Sequence, residues 1–142
     1  MIGIVVIAHG SLASGLENAV SLLAGEPKAF ATVELHPGDA PEEFKERVVQ
    51  AIEKVDEGDG VLALVDIFGG TPSNTVAQLL SREDLRAIAG TNLPMVIQAT
   101  FMREQASLDD LAAQVVQAGG EALINISDML AAAANRDDEE EF

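Results

Sequence analysis

The sequence of 142 residues contains no cysteine, no tryptophan and no tyrosine, and it has only five phenylalanines. The absence of cysteine excludes disulfides, thiolate catalysis and Cys-ligated metal sites, and it is compatible with a reducing compartment. With so few aromatic rings, platforms on which nucleic-acid bases could stack are not expected. The core must therefore be built mainly from aliphatic side chains.

Positive charge is the second shortage, with 8 Lys and Arg against 24 Asp and Glu and a formal net charge of −16. Such a surface repels a polyanion and offers little from which counterions would be released, so we expect no nucleic-acid partner. The first apolar run, residues 2–8, follows no basic segment and is far shorter than the ~20 residues that cross a bilayer. We interpret this run as a strand and expect a cytoplasmic protein.

The continuous apolar run at residues 2–8 predicts a strand that is buried on both faces, as in a parallel sheet covered by helices. Further strands are predicted at 29–35 and at 61–67, which is apolar until Asp66, and a shorter strand is predicted at 86–90. Amphipathic helices are predicted in the connections, beginning near Ser14 (with Glu17 in a capping-box pattern), Pro41, Thr71 (as N-cap, before Pro72), Pro94 and Ser107. The sequence thus predicts a single open doubly wound α/β sheet with the strand order 2-1-3-4.

Two further predictions concern the C-terminal part of the chain. The pair Gly119-Gly120 is expected to end the last of these helices, and "EALINIS" at 121–127 reads as a final strand. Residues 131–142 are expected to form a frayed helix that runs into a disordered acidic tail, so that the folded domain spans residues 1–130.

A candidate site lies where two of the predicted strands end. His9 follows the first strand and Asp66 stands at the end of the third, and the carboxyl ends of neighbouring parallel strands meet at one edge of the sheet. A carboxylate that binds one imidazole nitrogen fixes the tautomer and leaves the other nitrogen as an oriented nucleophile. Each residue alone also fits a plainer interpretation, His9 as a loop residue and Asp66 as a turn former.

The segment "VDIFGGTPSN" at 65–74 indicates which electrophile the histidine would meet. Gly69 and Gly70 allow backbone amides to approach closely, and Thr71 adds a hydroxyl at the start of a helix, which is an arrangement that suits phosphate. Gly10 and Ser11 are expected to contribute from the other side. No Walker loop or carboxylate cluster for Mg²⁺ is found, so we predict a phosphoryl group carried on histidine without a nucleotide, metal or other cofactor.

Three stretches resemble the mannose-type enzyme IIA (EIIA) components of the bacterial phosphoenolpyruvate-dependent sugar phosphotransferase system (PTS). They are "GIVVIAHGSLASGL", "VDIFGGTPSN" and "AGTNLPM" at 89–95, and the resemblance covers roughly residues 1–130. It implies a cytoplasmic carrier in which phospho-HPr phosphorylates His9 and a IIB protein (EIIB) accepts the phosphoryl group for sugar uptake. Asp66 matches the acidic partner of the histidine, and Thr71 stands where the family has Ser or Thr.

The resemblance also implies how the carrier assembles with other chains. Family members are homodimers that exchange their last strand, which would make residues 121–127 an antiparallel edge strand and cover an otherwise open edge. Because "RDDEEEF" takes the place of a linker and a IIB domain, EIIB is expected to be a separate polypeptide. The membrane components EIIC and EIID would be reached only indirectly, and the sugar is not identified by this sequence.

Three alternatives remain open from the sequence. The phosphotransfer subunit of dihydroxyacetone kinases shares the fold and a strand-end histidine, although a different middle motif is expected there. A purely regulatory carrier would use the same histidine chemistry. The small tetrapyrrole metal chelatases also begin with a motif like "VIAHGS"; in that class His9 would bind metal and would need His36, the only other histidine, which we otherwise interpret as a surface-loop residue of the turn "HPGD".

Overall fold

In the computed structural model, which describes residues 1–140, four parallel strands form one sheet in the order β2-β1-β3-β4. The strands are β1 (Gly3–His9), β2 (Phe30–Leu35), β3 (Val61–Val65) and β4 (Leu85–Ala89). The helices are α1 (Leu12–Ala24), α2 (Pro41–Val55), α3 (Thr71–Ala77), α4 (Leu93–Met102), α5 (Leu108–Glu121) and α6 (Ile126–Glu140). The predicted doubly wound fold and strand order are confirmed.

Helices cover both faces of the sheet, and each face has its own apolar core. On one face Ile4 and Val6 of β1 pack with apolar residues of α1, α4 and α5, and on the other Val5 and Ile7 pack with residues of α2 and α3. Because alternate residues of a strand point to opposite faces, a strand covered on both sides is apolar along its length, as β3 is and as β1 is up to its last residue, His9. The polar residues that follow these strands therefore lie at one edge of the sheet. No helix within residues 1–140 combines the length and apolarity that spanning a membrane requires.

Within the single chain, residues 121–127 form no strand, and their exchange between two copies stays a prediction. Helix α5 continues through Gly119 and Gly120 to Glu121, the next residues are irregular, and α6 begins at Ile126. A strand needs a neighbour for its backbone hydrogen bonds. Here the Ala122 and Leu123 amides bond locally instead, to the carbonyl oxygens of Ala118 and Gly120.

Gly119 lies within α5, and its missing side chain serves helix packing and not a turn. A Cβ at this position would lie 2.6 Å from Met95 Cγ, so glycine allows α5 to pack closely against α4. In the C-terminal part, α6 extends from Ile126 through Glu140, and residues 141–142 lie outside the described residues. The division into a domain at 1–130 and a tail at 131–142 stays a prediction.

Two helices begin earlier than their sequence signals predict. Ser11, not Ser14, is the N-cap of α1, and the Ser14 hydroxyl instead donates to Ser11 O at 3.1 Å and to Glu34 Oε2 at 2.9 Å. Gly70, not Thr71, precedes α3, so Thr71 is its first helical residue. A hydroxyl near a helix start therefore did not identify the capping residue in either case.

Candidate active site

His9 and Asp66 form the centre of the site at the carboxyl edge of the sheet. The pairing of β1 with β3 ends at Ile7 and Val65, and the Asp66 N–H then donates to Ile7 O at 3.2 Å. Beyond that point the Asp66 side chain, and not the backbone of β3, hydrogen-bonds to β1. Its Oδ2 accepts hydrogen bonds from the His9 backbone N–H at 2.9 Å and from the His9 ring, with 2.7 Å between Oδ2 and Nδ1.

The charge state of Asp66 determines which ring nitrogen of His9 is left open. Burial opposes ionisation of this carboxyl, but hydrogen bonds from the backbone N–H and ring of His9, and from the backbone N–H of Ile67, outweigh it and lower the pKa of Asp66. An ionised carboxylate only accepts hydrogen bonds, so in the neutral ring Nδ1 carries the proton and Nε2 carries the lone pair. The pair thus presents Nε2 as a fixed nucleophile.

The two side chains of the pair differ in their exposure to solvent. The His9 side chain is 49% exposed and the Asp66 side chain only 10%. Asp66 is therefore shielded from competing water, while the ring that it orients faces outward.

Gly70 is a predicted phosphate-binding residue that the structure places beside the His9 ring. A Cβ at this position would lie 3.0 Å from His9 Cε1 and 3.4 Å from Nε2, so the loop backbone passes directly beside the open nitrogen. Gly69 has a φ of +95°, which favours glycine and turns the chain at this point. Within residues 1–140 no protein acceptor takes a hydrogen bond from the backbone N–H of Gly69 or Thr71.

The other predicted residues border the site without contacting the ring through hydrogen bonds. Gly10 follows His9 with a φ of +59°, and its N–H donates to Leu35 O at 2.9 Å, which turns the chain out of β1. Ser11 and Thr71 are exposed at the starts of α1 and α3. Among the described residues neither hydroxyl hydrogen-bonds to His9, so the structure brings Gly70 to the ring and leaves these two at the rim.

His36 lies closer to the site than its interpretation as a surface-loop residue implies. It follows β2, is exposed, and lines with His9, Gly10, Leu35 and Pro37 a hollow of about 410 Å³. Its backbone N–H donates to Asp39 Oδ2 at 2.8 Å, which is the hydrogen bond of an Asx-type turn. In the part of the chain that the structure describes, no three His, Asp or Glu side chains are grouped as metal ligands would be.

The sequence interpretation missed the apolar rim of the site. Ile67 and Phe68 lie between Asp66 and the glycine pair, and they are 57% and 85% exposed. Leu12, 46% exposed, stands at the start of α1 on the other side of His9. The sequence signal for this rim was the Ile-Phe pair between Asp66 and the glycines, where the predicted strand ends and large apolar side chains are expected to be exposed.

Comparisons with known proteins agree with this arrangement. The model of the family described as PTS system fructose IIA component, EIIA-man, matches residues 3–116. The PTS fructose-specific EIIA component of Bacillus subtilis is 32% identical over 112 residues, which are 78% of this chain and 77% of that protein. The PTS mannose-specific EIIAB component of Escherichia coli K12 is 34% identical over 122 residues, which cover 84% of this chain and 38% of that protein.

The fold comparison gives the same result. The crystal structure of phosphotransferase system component EIIA from Streptococcus agalactiae superposes with a TM-score of 0.82 at 25% identity, and the match covers 89% of this chain and 98% of that one. The similarity therefore includes all four strands and the edge at which His9 and Asp66 meet.

Proposed function

This chain belongs to the EIIA-man family of phosphotransferase-system components, and from that premise we propose that it is a cytoplasmic phosphocarrier whose His9 accepts a phosphoryl group from phospho-HPr and passes it to EIIB. The observation that carries the proposal is the hydrogen bond between His9 Nδ1 and Asp66 Oδ2 at 2.7 Å. It leaves Nε2 unprotonated and aimed outward, which is what a nucleophile toward phosphorus requires.

In the proposed transfer, His9 Nε2 attacks the phosphorus atom in line with the bond that breaks. The Nε2–P bond forms as the N–P bond of the donor phosphohistidine breaks, and the donor imidazole keeps the electron pair of the broken bond. Asp66 stabilises the positive charge that the His9 ring gains, as a triad aspartate does for its imidazolium. The reverse geometry transfers the group onward to EIIB.

The loop that carries Gly69 and Gly70 provides a place for the phosphoryl oxygens. The Gly70 backbone lies beside Nε2, and the N–H groups of Gly69 and Thr71 have no acceptor within residues 1–140. Backbone N–H groups that are already in place stabilise the charge of a transferring group without reorganisation. The Thr71 hydroxyl and Ser11, both at the rim, are proposed as further contacts.

The apolar rim is proposed as the docking surface for HPr and EIIB. Ile67 and Phe68 follow Asp66 in the chain and Leu12 comes three residues after the exposed His9, and all three side chains are exposed. Apolar residues are enriched at the fully buried centre of protein interfaces. Because the same His9 must meet donor and acceptor in turn, one surface serves both partners. EIIC and EIID are then reached only through EIIB.

We also propose that the chain is a homodimer in which residues 121–127 pair with β4 of a second copy. β4 is an edge strand, and apolar hollows lie on both of its faces, one of about 140 Å³ beside α3 and one of about 420 Å³ beside α5. The segment that follows α5 exposes Leu123 by 80%, Ile124 by 55% and Ile126 by 65%. A second copy would cover both the open edge and these side chains.

The carrier function is tested by incubating the chain with phosphoenolpyruvate, enzyme I and HPr. Intact-mass measurement followed by peptide fragmentation at neutral or alkaline pH is expected to find one acid-labile phosphoryl group on His9. His9→Ala should abolish labelling, and His36→Ala is the matched control, since it removes the chain's other histidine from the same hollow. Labelling that persists in His9→Ala, or no labelling with HPr shown to be active on another carrier, would refute the proposal.

A further inference from the structure

Thr91 is bound twice to a carbonyl group next to the active-site aspartate. It follows β4 after a single glycine, and its hydroxyl Oγ1 donates to Val65 O at 2.7 Å while its backbone N–H donates to the same oxygen at 3.1 Å. Gly90 has a φ of +85°, which favours glycine and turns the chain so that Thr91 faces the end of β3. The hydroxyl and the backbone N–H of Thr91 thus both bind the Val65 carbonyl oxygen.

The carbonyl that Thr91 holds belongs to the peptide unit that joins Val65 to Asp66. The N–H of that same peptide unit donates to Ile7 O at 3.2 Å. The unit is therefore fixed at its oxygen by the loop after β4 and at its nitrogen by β1. Since a peptide unit is planar, these contacts set the position of the Asp66 Cα.

From the Asp66 Cα the side chain leads directly to His9. Oδ2 accepts hydrogen bonds from the backbone N–H and the ring Nδ1–H of His9, and Oδ1 accepts one from the Ile67 N–H at 2.9 Å. A contact of 2.7 Å between Oδ2 and Nδ1 weakens steeply when its angle or length changes. A small shift of the Val65–Asp66 peptide would therefore reach the ring.

We propose that Thr91 is a positioning residue for phosphoryl transfer: its hydroxyl holds the Val65 carbonyl and thereby keeps the Asp66 carboxylate in place against His9 Nδ1. The proposal rests on the proposed function, in which His9 is the nucleophile. Thr91 does not contact the ring itself, and its hydroxyl is already used on Val65. Its effect is therefore on the rate of transfer and not on the binding of a partner.

The test compares Thr91→Val, which keeps the shape and removes the hydroxyl, with Thr91→Ser, which keeps the hydroxyl. Thr100→Val is the matched control, because Thr100 Oγ1 also donates to a backbone carbonyl, Val96 O at 2.8 Å, within α4. The measurements are kcat and KM for transfer from phospho-HPr, the proton NMR signal of the His9 ring Nδ1–H in the unphosphorylated protein, and the thermal unfolding temperature.

For Thr91→Val we expect kcat to fall about five- to tenfold, the size of one net hydrogen bond, with KM unchanged and the Nδ1–H signal shifted. Thr91→Ser should stay within about twofold of the parent in kcat by the same reasoning. Thr100→Val should lower the unfolding temperature and leave both kcat and the ring signal unchanged. If Thr91→Val does not fold, Thr91→Ala removes the same hydroxyl and replaces it in the comparison.

The proposal is overturned if Thr91→Val behaves like Thr100→Val, with a lower unfolding temperature but an unaltered kcat and ring signal. Failure of the proposed function gives a different result, since the parent chain itself would then not be phosphorylated at His9. In that case the ring signal of the unphosphorylated variants still decides whether Thr91 holds the His9–Asp66 pair.

Discussion

The active-site edge and the C-terminal segment, residues 122–136, differ in how far the single chain buries and binds their side chains. At the edge, the carboxylate of Asp66 has all its hydrogen bonds from neighbours within the chain and is only 10% exposed. In the C-terminal segment, apolar residues such as Leu123 and Leu130 are 80% and 62% exposed. The edge is complete in one chain, whereas the segment has apolar surface that one chain does not cover.

The topology of the sheet determines the structure of the edge, whereas we expect assembly with a second copy to decide how the C-terminal segment is covered. The edge forms because β1 and β3 are adjacent, so that the residues following them must meet. Residues 122–136 belong to no strand of the sheet, so strand pairing within the chain does not fix their position. Changes at the edge should therefore alter chemistry while the oligomeric state is kept, and changes in the segment should do the reverse.

The largest expected effect is loss of the proposed dimer on replacing Leu123 and Ile124 together by Asp. Burying two carboxylates against the apolar hollows beside β4 is unfavourable, so we expect a dimeric parent and a monomeric variant. Sedimentation equilibrium over a range of concentrations measures this. Phosphorylation of His9 by phospho-HPr should persist, because the site is formed within one chain.

The matched control replaces Leu22 and Leu23 by Asp. These two residues are 82% and 63% exposed on α1, so the pair is as exposed and as apolar but lies outside the β4 edge. The control variant should remain dimeric. A parent chain that is monomeric at all concentrations, or a control that dissociates equally, would contradict the exchange of residues 121–127.

The next effect in size concerns Asp66→Asn, which we expect to slow phosphoryl transfer by about 10²-fold, within the range found on removing one electrostatic contact to a transition state. The amide is neutral and cannot stabilise the charge that the His9 ring gains, and it can donate to Nδ1 and so favour the wrong tautomer. Rapid-quench transfer from phospho-HPr gives the rate. The variant should remain dimeric.

Asp39→Asn provides the comparison for Asp66→Asn. Asp39 also accepts a hydrogen bond from a histidine backbone N–H, that of His36, and it also pairs with Arg47 at 2.8 Å, but it does not hold the reacting ring. Its kcat should match that of the parent. Equal losses in the two variants would show that carboxylate charge at this edge matters and that orientation of His9 does not.

Two adjacent glycines test how closely the loop approaches the ring. Gly70 has φ −90° and ψ 178°, which alanine adopts freely, but the added methyl would stand 3.0 Å from His9 Cε1. We expect Gly70→Ala to lower kcat about tenfold through crowding of Nε2, with little loss of stability. Gly69→Ala meets nothing within 4 Å but has a φ of +95°, so its main effect should be a loss of stability, and kcat should fall less than in Gly70→Ala because the backbone N–H is kept.

The measurement for the glycine pair is kcat together with urea unfolding for both variants. If Gly70→Ala is as fast as the parent, the phosphoryl group is not held between this loop and the ring. If Gly69→Ala loses as much kcat as Gly70→Ala, the loop acts through its overall conformation and not through its approach to the ring.

Much of the fold and the centre of the site was predictable from the sequence. Continuous apolar runs gave the buried strands, and the switch-point rule for parallel sheets brought His9 and Asp66 together at one edge. The meeting of His9 and Asp66 follows from these two facts, whereas the 2.7 Å contact also depends on the hydrogen bonds that hold the Val65–Asp66 peptide. Gly70 was recognised for a similar reason, because a glycine pair after a strand-end aspartate permits close approach of the backbone.

The remaining features depend on tertiary contacts that sequence periodicity does not contain. The Thr91 contact with Val65 depends on the direction in which one hydroxyl points after a turn, although "AGTNLPM" was noted as a motif. The alternation in "EALINIS" fits a strand that pairs with another chain and equally fits a short link before a helix. Ser14 has the features of a helix cap, but its hydroxyl is used on Glu34, a neighbour from another element.

The smallest expected effect is on the pH dependence of folding stability. The folded-state pKa of Asp66 lies below its ordinary value of 3.8, so its ionised form stabilises the fold above that value and the contribution is lost as pH falls through the folded pKa. At pH 7 we expect Asp66→Asn to be less stable than the parent by about 1 kcal/mol, and the two to converge in acid below the folded pKa. Urea unfolding of both proteins across this range measures the difference. The monomer–dimer equilibrium should show no comparable dependence on Asp66, because the surface proposed to cover β4 is apolar, and a dimer that weakened in parallel with the loss of this carboxylate would show that the edge and the C-terminal segment are coupled.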